Sequence, residues 1–161
     1  NGASWPPPNV WAIVSCEDQK RADERIPILL STPAAVRGVS LEPLLGPIDL
    51  SAYLGVSNVP PHHEVVKGIL RADWKPPLAW IICGGESGPG ARPCDLAWIR
   101  SIRDQCKTAE MPCFVKQLGS VWGRETGTVW HDQHSYHFAG GAKGDNINQW
   151  PKDLRVRESP R

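Results

Sequence analysis

Four short apolar runs punctuate the first 115 residues, and segments of helical spacing separate two pairs of them. Val10 to Val14, Val36 to Leu41, Leu78 to Cys83 (Leu-Ala-Trp-Ile-Ile-Cys) and Cys113 to Val115 each have the length and composition of a buried strand. Between the first two, Ala22, Ile26, Leu29 and Leu30 recur at helical spacing with charges on the other face. Ser15-x-x-Asp18 resembles a capping box at the start of that helix, and Pro27 predicts a kink or a restart within it. Between the last two runs, Leu96, Ile99, Ile102 and Cys106 form an apolar stripe behind Asp95, a residue suited to capping a helix. Arg100, Arg103 and Lys107 favour that helix's C-terminal end. The order is β-α-β-(excursion)-β-α-β.

Strands joined through helices run parallel with right-handed crossovers, and near-continuous apolar strands predict a sheet covered on both faces. The expected fold is therefore α/β, a partial (half) parallel β/α barrel with about four core strands. Residues 1–9 hold Trp5-Pro6-Pro7-Pro8 and read as a Pro-rich arm. Residues 10–119 form the half-barrel domain. Within it, residues 54–77 lack a clear period and contain Pro60-Pro61 and Pro76-Pro77, which marks an excursion with a short helix around His63 to Leu70. Asp49 is placed to cap one helical turn. Residues 120–161 are a Gly/Trp/His-rich extension with a hairpin expected around Gly123 to Gly127 and frayed last eleven residues.

In parallel α/β proteins, ligands sit beyond the carboxyl ends of the strands. Those ends carry Ser15 and Glu17, Ser40 and Glu42, Gly84-Gly85-Glu86-Ser87, and Lys116-Gln117. Glu42, Glu86 and Lys116 are the candidate catalytic residues. Gly84, Gly85, Glu86, Ser87, Arg92 and Gln117 are the candidate ligand-binding set. In Gly84-Gly85-Glu86-Ser87-Gly88-Pro89-Gly90, glycines permit close backbone approach to a ligand and free N–H groups to hold an anion. The alternative is a tight strand-to-helix turn, and the spacing is neither GxGxxG nor a Walker loop. Glu42, fixed by Pro43, suits a ribose hydroxyl, an amine or a proton in transit, or else a salt bridge to Lys116 in the barrel mouth. Lys116 suits an anionic ligand or a pair with Glu86, and Arg92 could serve the same ends.

Composition narrows the rest. Eighteen basic and seventeen acidic residues leave a formal charge of +1, which gives no field for duplex binding. No apolar run approaches the roughly 18 residues of a membrane span. The five cysteines, Cys16, Cys83, Cys94, Cys106 and Cys113, have no CxxC spacing and read as reduced thiols in a cytoplasmic protein. Eight tryptophans are many for this length, and Trp11, Trp80 and Trp98 fall in periodic apolar segments. His131, His134 and His137 recur every third residue, a metal pattern if helical, but Gly127, Ser135 and Gly140-Gly141 favour an exposed loop, so no metal ligands are assigned.

Three stretches carry a resemblance. They are Asn9-Val10-Trp11 through Ser15 with Glu17-Asp18-Gln19-Lys20-Arg21-Ala22-Asp23-Glu24-Arg25-Ile26-Pro27; Thr32-Pro33-Ala34-Ala35-Val36-Arg37 with Ser40-Leu41-Glu42-Pro43-Leu44-Leu45-Gly46-Pro47; and Gly84 through Pro93 with Phe114-Val115-Lys116-Gln117. Together they resemble a phage and prophage family of unknown function, the bacteriophage Mx8-type family, whose longer members are similar to radical S-adenosylmethionine barrels. The resemblance spans roughly residues 8–120. It implies that this chain corresponds to the C-terminal, ligand-binding half of such a barrel. The cluster-binding cysteines would lie in the other half, because a four-iron cluster needs closely spaced cysteines. S-adenosylmethionine and the cluster would then belong to a complete family member, and this half would be inactive alone. A stand-alone inhibitor or adaptor built on a half barrel is the alternative. Four parallel strands leave an open edge on each side, which predicts a homo-oligomer, a missing N-terminal half or another protein as partner.

Overall fold

The computed structural model describes residues 6–54, 78–126, 129–131, 136–138 and 143–160. The excursion, with His62, His63 and the expected helix from His63, lies outside them apart from Leu54, as does His134. Four strands, β1 (Trp11–Ser15), β2 (Val36–Leu41), β3 (Trp80–Cys83) and β4 (Cys113–Val115), make one all-parallel sheet in the order β1-β2-β3-β4. Helix α1 (Gln19–Ser31) links β1 to β2, the short α2 (Ser51–Leu54) follows β2, and α3 (Leu96–Thr108) links β3 to β4. The expected α/β partial barrel is the fold observed.

Each helix starts where a carboxylate can take an unpaired N–H. Asp18 accepts from the Arg21 amide at 2.8 Å and Asp95 from the Ala97 amide at 2.8 Å. The cap of α1 is therefore Asp18, not Ser15, which ends β1 instead. Asp49 accepts from the Ser51 amide at 2.8 Å at the entry to α2. Helix α1 runs through Pro27 without restarting. The proline removes one main-chain hydrogen bond, but Ala22, Ile26 and Leu29 on either side of it are buried and hold the helix on the sheet.

The strand registers assign every side chain to a face. Val39, Leu41, Ile81, Cys83, Cys113 and Val115 face the helices and are buried, against Ile99, Ile102 and Cys106 of α3 and Ile26 of α1. The other face carries Trp11, Ile13, Ser15, Gly38, Ser40, Trp80, Ile82 and Phe114. The sequence predicts cover on both faces, but no described helix lies on this one, and Trp11 and Ile13 are 44% and 45% exposed. Here Trp11 meets Trp80 edge-on (ring centroids 5.8 Å apart) and Trp80 meets Phe114 in the same way (5.9 Å). The intervening strand offers Gly38, where a Cβ would come within 3.3 Å of the Trp80 carbonyl. The absent side chain lets two indoles touch across a strand.

The C-terminal region departs most from expectation. Residues Ser120–Thr126 form helix α4, not a hairpin turn. Gly119, at a φ of +99°, turns the chain, and the Ser120 amide donates to the Glu86 carbonyl at 2.8 Å. The hairpin comes later, with β5 (Val129–His131) antiparallel to β6 (Tyr136–Phe138). His131 and His137 thus lie on strands and share no helical face. The last residues are packed, not frayed. A 3-10 turn at Lys152–Leu154 buries Leu154 completely, and Trp150 is 1% exposed. The chain then runs antiparallel along β4: the Val115 amide donates to Val156 O and the Glu158 amide to Cys113 O, each at 2.9 Å. The indole of Trp80 donates to Glu158 O at 2.8 Å. The C-terminal strap therefore closes the outer edge of β4, while among the described residues no strand pairs with the outer edge of β1.

If that strap is structural, Leu154→Ala should cost about 2–4 kcal/mol, the usual range for truncating a buried leucine. Urea denaturation reads this as a lowered midpoint at unchanged slope. A frayed tail would give less than about 0.5 kcal/mol.

Candidate functional site

The carboxyl ends of the four strands converge because the loops after β3 and β4 lie backbone against backbone. The Gly85 amide donates to Gln117 O at 3.0 Å and the Lys116 amide to Cys83 O at 2.9 Å. A Cβ on Gly84 would lie 2.9 Å from Gln117 O, and one on Gly85 would collide with Leu118 O. Only glycine fits at either position. Three of the N–H groups expected to hold an anion are occupied within the chain. The Gly84 amide donates to Leu41 O at 3.3 Å, that of Gly85 to Gln117 O, and that of Gly88 to Ser120 Oγ at 3.0 Å. The two glycines thus act as a tight strand-to-helix turn that positions side chains.

Gln117 is the centre of that arrangement. It is 3% exposed, and its Nε2 donates both to Gly85 O at 3.0 Å and to Glu42 Oε1 at 3.1 Å. Glu42, just past β2 at a cis peptide to Pro43, extends its other oxygen to Lys116 Nζ at 3.1 Å. The Glu42 side chain is 15% exposed and that of Lys116 is 55% exposed. The carboxylate is thus gripped from below by an amide and from the mouth by an ammonium. Lys116 pairs with Glu42 and not with Glu86.

Glu86 has its own partner. Arg92 donates to it from its backbone N (2.8 Å), Nε (2.7 Å) and Nη2 (2.8 Å), closing the glycine loop on itself. This bidentate geometry is the strong form of the carboxylate–guanidinium pair. The guanidinium and then the amide of Arg92 hold the Glu86 carboxyl down at about 2. Glu86 is consequently a carboxylate throughout the neutral range, unsuited to donating a proton and suited to accepting hydrogen bonds.

Ser15, Ser40, Glu42, Pro43, Glu86, Ser87 and Lys116 together line one open cavity of about 440 Å³ over the strand ends. All three candidate catalytic residues are in it, as is Ser87 of the candidate ligand set. Arg92 and Gln117 do not line it; each orients one of its carboxylates. Glu42 and Glu86 line the cavity with one cation, Lys116, and Arg92 offsets the second carboxylate from outside it, so groups of both signs border the opening. A second pair stands beside it: Arg25 Nη1 reaches Glu17 at 3.2 Å and Ser15 O at 2.7 Å. Arg25 is not singled out by the sequence, and neither is Ser120. One lies on the solvent side of a helical pattern and the other where the pattern fades, so nothing in their spacing marks them.

The cysteines lie away from the strand-end cavity, none of them lining it. Cys16, Cys83, Cys106 and Cys113 are buried in the core. Burial pushes the Cys16 thiol up to about 11 and the half-buried Cys94 thiol up to about 12. Among the described residues no three His, Cys, Asp or Glu side chains are grouped to hold a metal ion, and no helix is long and apolar enough to cross a membrane.

Two expectations follow. Gly85→Ala should destabilise the fold by about 1–3 kcal/mol by forcing β3 and β4 loops apart, seen as a lower denaturation midpoint. The Glu86 carboxyl should titrate by NMR near 2, and Arg92→Ala should return it toward 4.5, its ordinary value. Because the folded value is depressed, the pair's stabilisation is complete above the unfolded value and is lost as pH falls toward about 2. The Arg92→Ala chain should show a weaker acid-limb dependence, keeping only the part that the residue-92 amide supplies.

The chain belongs to the family described as protein of unknown function, DUF5131, which matches residues 1–151. No curated protein and no solved structure matches it.

Proposed function

We propose that this member of the family is the ligand-binding half of a radical S-adenosylmethionine-type barrel protein of phage or prophage origin, and that the strand-end cavity receives S-adenosylmethionine or a nucleotide-like substrate. One observation carries the reading: side chains from the ends of all four strands, Ser15, Ser40 and Glu42, Glu86 and Ser87, and Lys116, line one polar cavity on the face that holds ligands in parallel α/β proteins. Charges of both signs suit a ligand that is itself zwitterionic or rich in hydroxyls. Serines and carboxylates accept hydroxyl or ammonium protons, and Lys116 meets a carboxylate or phosphate. The radical assignment and the phage origin rest on the three motif stretches. The resemblance assigns the cluster-binding cysteines to the other half of the barrel, so on this reading the radical-generating chemistry belongs to other residues, and this chain binds and orients.

A second reading is a stand-alone binding protein, an inhibitor or adaptor. It draws on Val10, Trp11 and Ile13, large apolar side chains on β1 and its approach that the fold leaves 44–47% exposed.

Titration calorimetry of S-adenosylmethionine into the full chain separates these readings. The ligand reading expects saturable binding, weakened at least about tenfold by Lys116→Ala and by Glu42→Gln, the loss of one charged contact each. Both variants should keep the wild-type circular dichroism. Heat indistinguishable from dilution at millimolar ligand overturns it.

A further inference from the structure

The strap along β4 has a consequence for the opposite edge. Cys16 donates its amide to Ser40 O, so even-numbered residues of β1 direct their main-chain groups toward β2. By strand alternation, Trp11 and Ile13 direct theirs outward. The Ser15 carbonyl is taken by Arg25. The open edge thus presents the N–H and C=O of Trp11 and Ile13, beside the side chains of the same two residues. Three of the four exposed large apolar side chains of the molecule's described residues, Val10, Trp11 and Ile13, are on this short stretch.

We propose that β1 pairs antiparallel with β1 of a second copy, about a two-fold axis through Ala12. In this register Trp11 stands opposite Ile13 of the other copy, twice over, and each pair exchanges both main-chain hydrogen bonds. An aromatic–β-branched pair is a favourable cross-strand match. Val10 stands opposite Val14 and Asn9 opposite Ser15. No residue from Asn9 to Ser15 is charged, so the two copies meet without like charges facing each other. Edge strands that avoid self-pairing usually carry lysine or proline, and Trp11–Ser15 has neither.

The strap decides the stoichiometry. Joining β1 of one copy to β4 of the next would close two half barrels or grow a filament, and Val156 to Glu158 occupy that edge. What remains is an isologous contact, which closes at two. The contact is small. Half-exposed side chains from a few residues per copy bury well under the 1,200 Å² or so of a stable interface, which predicts a reversible dimer with Kd on the order of 10–100 μM. A missing barrel half would compete for this same edge, so the inference concerns the chain by itself; it leaves the cavity in place, since of its paired residues only Ser15 lines it.

Sedimentation velocity of the full chain from about 5 to 500 μM, bracketing that Kd, tests it. The expected result is a monomer–dimer equilibrium, shifted to monomer at least about tenfold by Ile13→Lys, with circular dichroism and thermal midpoint retained. Should that variant fail to fold, Trp11→Lys provides the same reading. A wild-type chain that stays monomeric at the top concentration overturns self-pairing. A dimer that both lysine variants leave intact, or species larger than two, overturns it as well.

Discussion

Gly84-Gly85 cross Gln117-Leu118 with no room for a side chain between them, and the rest of the strand-end architecture hangs from that crossing. Two peptide backbones lie at a separation that admits no Cβ. That separation puts the Gln117 amide under both Gly85 O and Glu42. Glu42 in turn fixes where Lys116 rests, and the loop continues to Glu86, which Arg92 ties down. The chain of dependence runs from a missing side chain to a buried amide to a carboxylate whose two oxygens are both spoken for. A buried amide with two acceptors is costly to leave unpaired, so Gln117 resists rotation and keeps Glu42 aimed at the cavity.

The sheet shows a second constraint, which acts at its edges. A parallel sheet of four strands has two edges and two faces to satisfy. The described residues of this chain satisfy one edge and one face. Helices α1 and α3 bury one face, and the C-terminal strap closes β4. Arg157 in that strap lies over the rings of Phe114 and Trp150, at 5.5 and 5.3 Å, and donates to Lys116 O at 3.3 Å. The strap therefore supports the strand that carries Lys116 while it seals the edge. The remaining edge and the aromatic row Trp11, Trp80 and Phe114 are the places where other molecules have something to gain.

Local signals in the sequence were enough for the sheet, both long helices and the convergence of Glu42, Glu86 and Lys116. Apolar runs of strand length, the stripe Ile99, Ile102, Cys106 and the capping Asp95 all act within a few residues. The parallel connection rule then puts every strand's carboxyl end on one side, which brings the polar residues together without any knowledge of their contacts. Pairing was beyond that rule. Nothing local tells Lys116 to choose Glu42 over Glu86, because the choice depends on the Gln117 amide and on Arg92 reaching back six residues through a glycine loop.

The C-terminal third was the least legible, for the same reason. Leu154 and Trp150 sit among Gly, Asn, Lys and Arg, with no period to betray a buried role, and the strand-like run Val156 to Glu158 has a charge at two of three positions. Its hydrogen bonds go to β4, some forty residues earlier, and only the assembled sheet offers them. The sequence alone determined which residues make strands and helices and which polar groups cluster at the strand ends, since those follow from short-range periodicity and connection handedness. Tertiary structure decided which carboxylate pairs with which cation, that the amides of Gly84, Gly85 and Gly88 are occupied, and that the C-terminal strap closes the β4 edge. These depend on contacts between residues far apart in the chain, whose partners no local pattern encodes.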